Sequence, residues 1–387
     1  MSAQGNGLRR ARGRDLSEVV ASAGIVVCTG AGGVGKTTTA AALALAAARR
    51  GRRTVVVTID PARRLAQALG LAALDNVPRP VPGVPGLDAM MLDMKRTFDE
   101  AIDRNAGDPA LAARIKGNRF YRQLSDSLAG TQEYMATEKL YELHAEARWD
   151  CIVIDTPPTR NALDFLDAPK RLTDFLEGRF LRLFLAPGMA AGRLAGRAAG
   201  FGAGVFMRAM GRITGAGVLA DLAEFFQSFE GMYDGFKSRA QAVYRLLQSP
   251  EAAFVVVASP DTPALREARY FLQRLADEGM PTAGLVVNRM TPQALDALGA
   301  YRSEEICATA ARLDGGGPEQ RAAAALLRLA VDRGEATVRE ARTISAALHG
   351  IDPHVLVEIP LLNGDVHDLQ TLTELAGHLA GAAVEAG

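Results

Sequence analysis

The sequence predicts an α/β fold with a mostly parallel central sheet, helices on both faces and additional helical insertions. Short apolar runs rich in β-branched residues recur along the chain, as expected of strands that are buried on both faces. Alanine-rich stretches with helical character separate these runs. Because parallel strands are joined by crossovers that lie on a face of the sheet, this alternation predicts a parallel sheet covered by helices.

Six apolar runs are predicted as strands, and the helices fall between them. The strands are expected at residues 24–28, 54–59, 151–154, 254–257, 284–287 and 354–359. Helical patterns cover residues 37–50, 263–278 and 319–348. The segment 75–87 is rich in proline, which has no N–H group to donate, and is therefore predicted as a loop.

The chain of 387 residues is predicted to form one main domain at residues 21–387, preceded by a flexible arm at residues 1–20. Two long stretches lack strand patterns, at about 95–148 and 170–250, and each lies between predicted strands. We therefore expect both stretches to be helical insertions into the same domain.

The composition restricts the classes of function. Lys and Arg total 44, as do Asp and Glu, and this balance disfavours nucleic-acid binding, which depends on excess positive charge. No run approaches the ~20 apolar residues that span a membrane. The three cysteines form no CxxC pair, which indicates a reducing compartment. These features predict a cytoplasmic protein.

The strongest local motif follows the first predicted strand. Residues 30–37 read GAGGVGKT and match the pattern GxxxxGK[ST] between a strand and a helix. Backbone N–H groups of such a loop surround phosphates, and the next helix directs its N-terminus at the anion. We expect Lys36 to contact the β- and γ-phosphates of ATP and the Thr37 hydroxyl to ligate Mg²⁺. The candidate nucleotide-binding residues here are Gly30, Gly32, Gly33, Val34, Gly35, Lys36, Thr37 and Thr38.

Two aspartates lie at the ends of predicted strands. Asp155 follows the apolar run 151–154, a pattern typical of the carboxylate that reaches the Mg²⁺ shell at the carboxyl edge of a sheet. Asp60 ends the strand at 54–59 and precedes Pro61, so it also suits a helix N-cap. That interpretation stays open beside a second one, in which Asp60 orients an attacking water.

Together these motifs resemble the ArsA family of P-loop ATPases with a deviant Walker A motif. That family comprises arsenical pump-driving ATPases and guided-entry factors that target tail-anchored membrane proteins. The sequence DPA at residues 60–62 resembles switch I of the family, and DTPPT at residues 155–159 resembles its switch II. Asn288 resembles its adenine-contacting asparagine, and Pro360 and Leu361 resemble its C-terminal loop beside the nucleotide.

The resemblance runs from about residue 24 to 375 and implies a dimeric, Mg-ATP-dependent conformational switch that hydrolyses ATP to ADP and phosphate. It implies that Asp60 positions the hydrolytic water and that Lys36 is the second catalytic residue. It further implies that Thr37 and Asp155 serve the Mg²⁺ ion.

The sequence departs from the family at several positions. Ala31 replaces the signature lysine that reaches into a partner subunit, Arg63 replaces the switch I histidine, and residues 160–162 read RNA where GHT is common. No CxxC pair exists for the zinc that joins the dimers of targeting factors. A homodimer would lack both trans lysines. We expect a lysine-bearing paralogue as partner in a heterodimer, with Arg63 or Arg160 as the alternative source of charge.

Residues 185–220 carry glycines at every fourth position from 188 to 204, among apolar and basic residues. In the targeting factors the corresponding insertion forms a groove for client helices. Contact with a hydrophobic client or membrane surface, packing on a partner helix and a mobile lid all stay open. Two further functions also stay open: a nucleotide-binding regulatory or scaffold subunit with weak turnover, and a small-molecule kinase, which the DPA sequence and the long insertion disfavour.

Overall fold

The computed structural model describes residues 15–60, 64–119, 121–122, 131–157, 228, 232–292, 303–362 and 364–380. Within these residues, eight strands form one sheet in the order β3-β4-β2-β5-β1-β6-β7-β8. The strands are β1 (Ile25–Gly30), β2 (Thr54–Thr58), β3 (Arg79–Pro80), β4 (Leu87–Met91), β5 (Cys151–Asp155), β6 (Ala252–Ala258), β7 (Thr282–Met290) and β8 (Leu356–Pro360). Every neighbouring pair is parallel except β3 and β4.

The predicted α/β fold is confirmed, and all six predicted strands are present. The strands β3 and β4 were not predicted. β4 reads LDAMM, without the β-branched residues by which the other strands were recognised, yet it is buried at Leu87, Ala89 and Met90. The interpretation of residues 75–87 as a loop is wrong at Arg79–Pro80, because proline is tolerated on an edge strand such as β3.

Eleven helices have described bounds. They are α1 (Ser17–Ser22), α2 (Lys36–Arg49), α3 (Arg64–Ala68), α4 (Met94–Asn105), α5 (Pro109–Gly117), α6 (Thr131–Ala145), α7 (Tyr233–Gln248), α8 (Thr262–Asp277), α9 (Ser303–Leu313), α10 (Pro318–Ala347) and α11 (Leu369–Ala380). Helix α2 is buried over most of its length, because its alanines allow close packing against α11 and β5.

The packed part of the chain begins before residue 21, the start expected for the domain. Leu16 and Val20 are fully buried, and the Leu16 N–H group donates to the carbonyl of Leu379 at 2.7 Å. Residues 1–14 of the expected arm lie outside the described residues.

The expected insertion at 95–148 contains α4, α5 and α6, and α7 forms the end of the one expected at 170–250. A buried ion pair joins the two, because Arg239 Nε on α7 lies 2.9 Å from Glu138 Oε2 on α6. The segment 185–220 lies outside the described residues. Where the structure is described, no helix is long and apolar enough to cross a membrane.

Candidate functional site

The carboxyl ends of three adjacent parallel strands bring the predicted phosphate loop and both aspartates to one edge of the sheet. Asp155 at the end of β5 pairs in register with Cys28 of β1 and with Thr58 of β2. The loop that connects β1 to α2 therefore lies beside the ends of β2 and β5. This follows from the parallel order, since all three strands end at the same edge.

Two glycines of the loop are required by close approach. A Cβ atom on Gly30 would lie 2.0 Å from the carbonyl oxygen of Val257, and one on Gly35 would lie 2.3 Å from Nδ2 of Asn288. Gly35 also has a left-handed backbone with φ of 100° and immediately precedes helix α2. No other residue type fits position 30 without displacement of β6. At position 35 a side chain would displace the Asn288 amide and would be strained by the left-handed backbone.

Lys36 is a buried cation at the start of α2. Its Nζ donates a 2.7 Å hydrogen bond to the carbonyl oxygen of Ala31, within the same loop. Burial lowers the pKa of Lys36, while the negative charges of Asp155 and Asp60 act in the opposite direction. The ammonium group is thus held at the loop, where the charges of two acidic residues act on it.

Asp155 is fully buried and one of its oxygens has no partner. Its Oδ2 accepts a 2.8 Å hydrogen bond from the Thr58 hydroxyl, whereas Oδ1 has no hydrogen-bond partner. Burial raises the pKa of Asp155 to about 6, and hydrogen bonds from Thr37 and Thr58 oppose that rise. An unpaired carboxylate oxygen beside a threonine hydroxyl provides the hard oxygen donors that Mg²⁺ prefers, so Thr37 and Asp155 fit this ion.

Thr58 links the two aspartates, although no sequence motif selects it. Its hydroxyl donates to Asp155 and accepts a 3.2 Å hydrogen bond from the Asp60 N–H group. Asp60 itself is buried, at 8% exposure. The signal that identifies Thr58 is its register pairing with Asp155, which is a property of the sheet and not of the local sequence. Pro61, Ala62 and Arg63 lie outside the described residues, as does Arg160.

A cavity of about 360 Å³ lies at this edge of the sheet. Its lining includes six predicted site residues and three that were not predicted, Arg64, Thr156 and Arg289. The predicted residues are Gly33, Gly35, Lys36, Thr37, Thr38 and Asp60. Thr156 is fixed there because its hydroxyl donates to the carbonyl of Cys28 at 2.8 Å.

A second cavity of about 600 Å³ adjoins the first. It contains three further predicted residues, Asn288, Pro360 and Leu361. The two cavities share Gly35, Thr38, Arg64 and Arg289, so they form one continuous cleft. Asn288 connects the second cavity to the phosphate loop, since its Nδ2 donates to the carbonyl of Val34 in that loop at 2.9 Å.

Arg289 has a strained backbone, with a left-handed φ of 64°. A non-glycine residue in this region costs about 1–3 kcal/mol and such residues concentrate at functional sites. The Arg289 N–H group donates to Oδ1 of Asn288 at 2.9 Å. The sequence pattern of a strand does not reveal this conformation.

Cys28 on β1 and Cys151 on β5 are buried, and Cys307 is exposed. Burial raises the pKa of the Cys28 thiol. Among the residues whose structure is described, no three His, Cys, Asp or Glu side chains converge in a group that would hold a metal ion.

Comparison with known proteins agrees with this geometry. Residues 23–305 match the sequence model of the ArsA family, described as anion-transporting ATPases. The chain is 27% identical over 271 residues to an ATPase ASNA1 homolog of Entamoeba dispar, covering 68% of this chain and 75% of that protein. It is 27% identical over 266 residues to the ATPase get3 of Schizosaccharomyces pombe, covering 67% and 71%.

A third relative is the arsenical pump-driving ATPase of Acidiphilium multivorum, which is 28% identical over 275 residues. That match covers 69% of this chain but only 39% of the pump-driving protein. The family match extends over well more than half of the 387 residues. The chain therefore belongs to the ArsA family and is an ATPase.

Proposed function

We propose that this chain is a Mg-ATP-dependent conformational switch that acts as a dimer and hydrolyses ATP to ADP and phosphate. The observation that supports the proposal best is the continuous cleft. One end of it carries Lys36, Thr37 and Asp60, and the other carries Asn288 and Leu361. A nucleotide needs such an arrangement, with cations and hydroxyls for its phosphates and an amide and apolar surface for its base.

The proposed roles follow from chemistry and position. Backbone N–H groups of the glycine loop and the Lys36 ammonium bind the β- and γ-phosphates. Thr37 and Asp155 hold Mg²⁺, which neutralises charge on the phosphates when it is bound. Asp60 orients the attacking water, and Thr58 fixes its backbone relative to Asp155. The Asn288 side chain makes one hydrogen bond through Nδ2 and one through Oδ1. It therefore retains one N–H group on Nδ2 and one lone pair on Oδ1 for adenine.

The partner that we propose is a paralogue that carries a lysine where this chain has Ala31. A methyl group supplies no charge to the phosphates of a facing subunit, so a homodimer would contain no trans lysine. In a heterodimer, this chain's site receives the partner's lysine. We also propose that residues 185–220 contact a hydrophobic client or membrane surface, and that the protein works in the cytoplasm.

The alanine at position 31 also favours a second function. If Ala31 removes a charge that turnover requires, the chain acts as a nucleotide-binding regulatory or scaffold subunit with little turnover of its own. Product analysis separates these functions. The purified chain with saturating Mg-ATP is expected to form one inorganic phosphate per ADP, slowly, and faster when a lysine-bearing paralogue is added.

Three other outcomes of this experiment would each lead to a different conclusion. Nucleotide binding with no phosphate release, with or without the paralogue, selects the regulatory subunit. ADP formation without equivalent inorganic phosphate selects a kinase, because the phosphoryl group has then been transferred to an acceptor. Failure to bind Mg-ATP at all would refute the proposal.

A further inference from the structure

Two arginines lie where the two halves of the cleft meet. Arg64 and Arg289 line both cavities, together with Gly35 and Thr38. One cavity contains the groups suited to the β- and γ-phosphates, and the other contains those suited to the base. The part of a nucleotide that crosses the junction is then its α-phosphate and ribose.

A β-bulge turns Arg289 into the cleft. In the register of β7 and β8, Val287 pairs with Glu358 and Met290 pairs with Pro360. Two residues of β7, Asn288 and Arg289, therefore lie opposite a single residue of β8. Successive residues of a regular strand point to opposite faces, whereas a bulge redirects side chains and is frequent beside active sites. The bulge allows both Asn288 and Arg289 to line the same cavity.

Both guanidinium groups are available to a ligand. No hydrogen bond or ion pair joins either of them to another residue in the described part of the chain. The Arg289 side chain is exposed, at the mouth of the cleft. A cation in a concave site without a protein partner is suited to an anion, and guanidinium binds phosphate oxygens through paired N–H groups.

We propose that Arg64 and Arg289 form an arginine clamp on the α-phosphate of the bound nucleotide. This inference rests on the proposed nucleotide site. ATP and ADP share the α-phosphate, so the clamp contributes equally to the binding of both. It contributes nothing to charge that develops at the γ-phosphate, and so it does not replace the lysine missing at Ala31.

The test measures binding and turnover in the full chain. Titration calorimetry gives the dissociation constants of Mg-ADP and a non-hydrolysable ATP analogue for Arg64→Ala, Arg289→Ala and Arg289→Lys. Arg333→Ala, at an exposed position on α10, is the matched control. Each alanine variant is expected to raise both dissociation constants by the same factor, about 10- to 100-fold. KM for ATP should rise with them, while kcat at saturating ATP stays within about twofold.

Two other substitutions of Arg289 separate the effect of its charge from the effect of its backbone conformation. Arg289→Lys, which retains the charge, should recover part of the affinity, and Arg289→Gly should lose affinity without a lower melting temperature, because glycine suits the left-handed backbone. Unchanged dissociation constants in both alanine variants would overturn the clamp, as would a fall in kcat with affinity intact. Lys36→Ala tests the nucleotide site separately: if it weakens binding while the arginine variants do not, the site stands and the clamp fails. A parental chain that binds neither nucleotide would overturn both.

Discussion

Replacement of Asp155 by asparagine is expected to stabilise the metal-free protein at neutral pH while it removes a proposed Mg²⁺ ligand. The carboxyl group is fully buried, one oxygen is unpaired, and the pKa rises from 3.8 to about 6. Because the folded-state pKa is the higher one, ionisation disfavours the folded state, and stability is lost as the pH rises from 3.8 through 6. The loss amounts to about 3 kcal/mol above pH 6, at about 1.4 kcal/mol per pKa unit.

The amide side chain of the Asp155→Asn variant stays neutral at every pH. The free energy of unfolding of the variant should therefore exceed that of the parental chain by an amount that follows the same pH dependence; we call this difference the advantage of the variant. Urea unfolding with a chelator present measures it, and Trp149, the single tryptophan, lies just before β5 and reports the transition. The advantage is expected to be about 3 kcal/mol at about pH 7.5 and about half of that at about pH 5. With Mg-ATP, the parental chain should be stabilised more than the variant. Asp332→Asn, the same substitution at an exposed position on α10, is the control. A variant that is less stable at neutral pH without metal, or an advantage independent of pH, would refute this account of Asp155.

Three further predictions concern the glycine loop and the long insertion. Gly30→Ala should lower the free energy of unfolding by about 1–3 kcal/mol or more, because its Cβ would meet a β6 carbonyl at 2.0 Å. Gly117→Ala, with open space around it, should be neutral, and equal effects would contradict the argument. Ala31→Lys should raise turnover of the isolated chain at least about tenfold in a phosphate-release assay. Fast parental turnover that Ala31→Lys leaves unchanged would argue against a lysine-bearing partner. Amide exchange over residues 185–220 should change when a non-hydrolysable ATP analogue binds, and identical exchange would argue against a nucleotide-controlled client contact or lid in this segment.

The sequence predicted the core of the fold because the central strands are buried on both faces and therefore consist of apolar, β-branched residues. It failed at β4, whose Met90 and Ala89 lack strand character but are buried by tertiary packing. It also failed at β3, a two-residue edge strand containing Pro80.

The residues of the candidate site also divide into those that the sequence predicted and those that it did not. Lys36, Thr37 and Asp155 belong to local motifs, and local motifs are visible in one sequence. Thr58 and Arg289 are not, since their roles depend on strand register and on a bulge between β7 and β8. Such features arise from contacts distant in sequence, which no local pattern records.

In the proposed function, the cleft hydrolyses ATP with Asp60 acting on water and not on the bound nucleotide. The most direct measurement compares the parental chain with Asp60→Asn, for both the affinity for Mg-ATP and the rate of phosphate release, with the lysine-bearing paralogue present if the chain alone is slow. We predict an affinity within about threefold of the parental value and a rate lower by at least about 100-fold. Hydrolysis at the parental rate would contradict the assignment of Asp60, and loss of nucleotide binding with the fold intact would contradict its separation from the phosphate-binding residues.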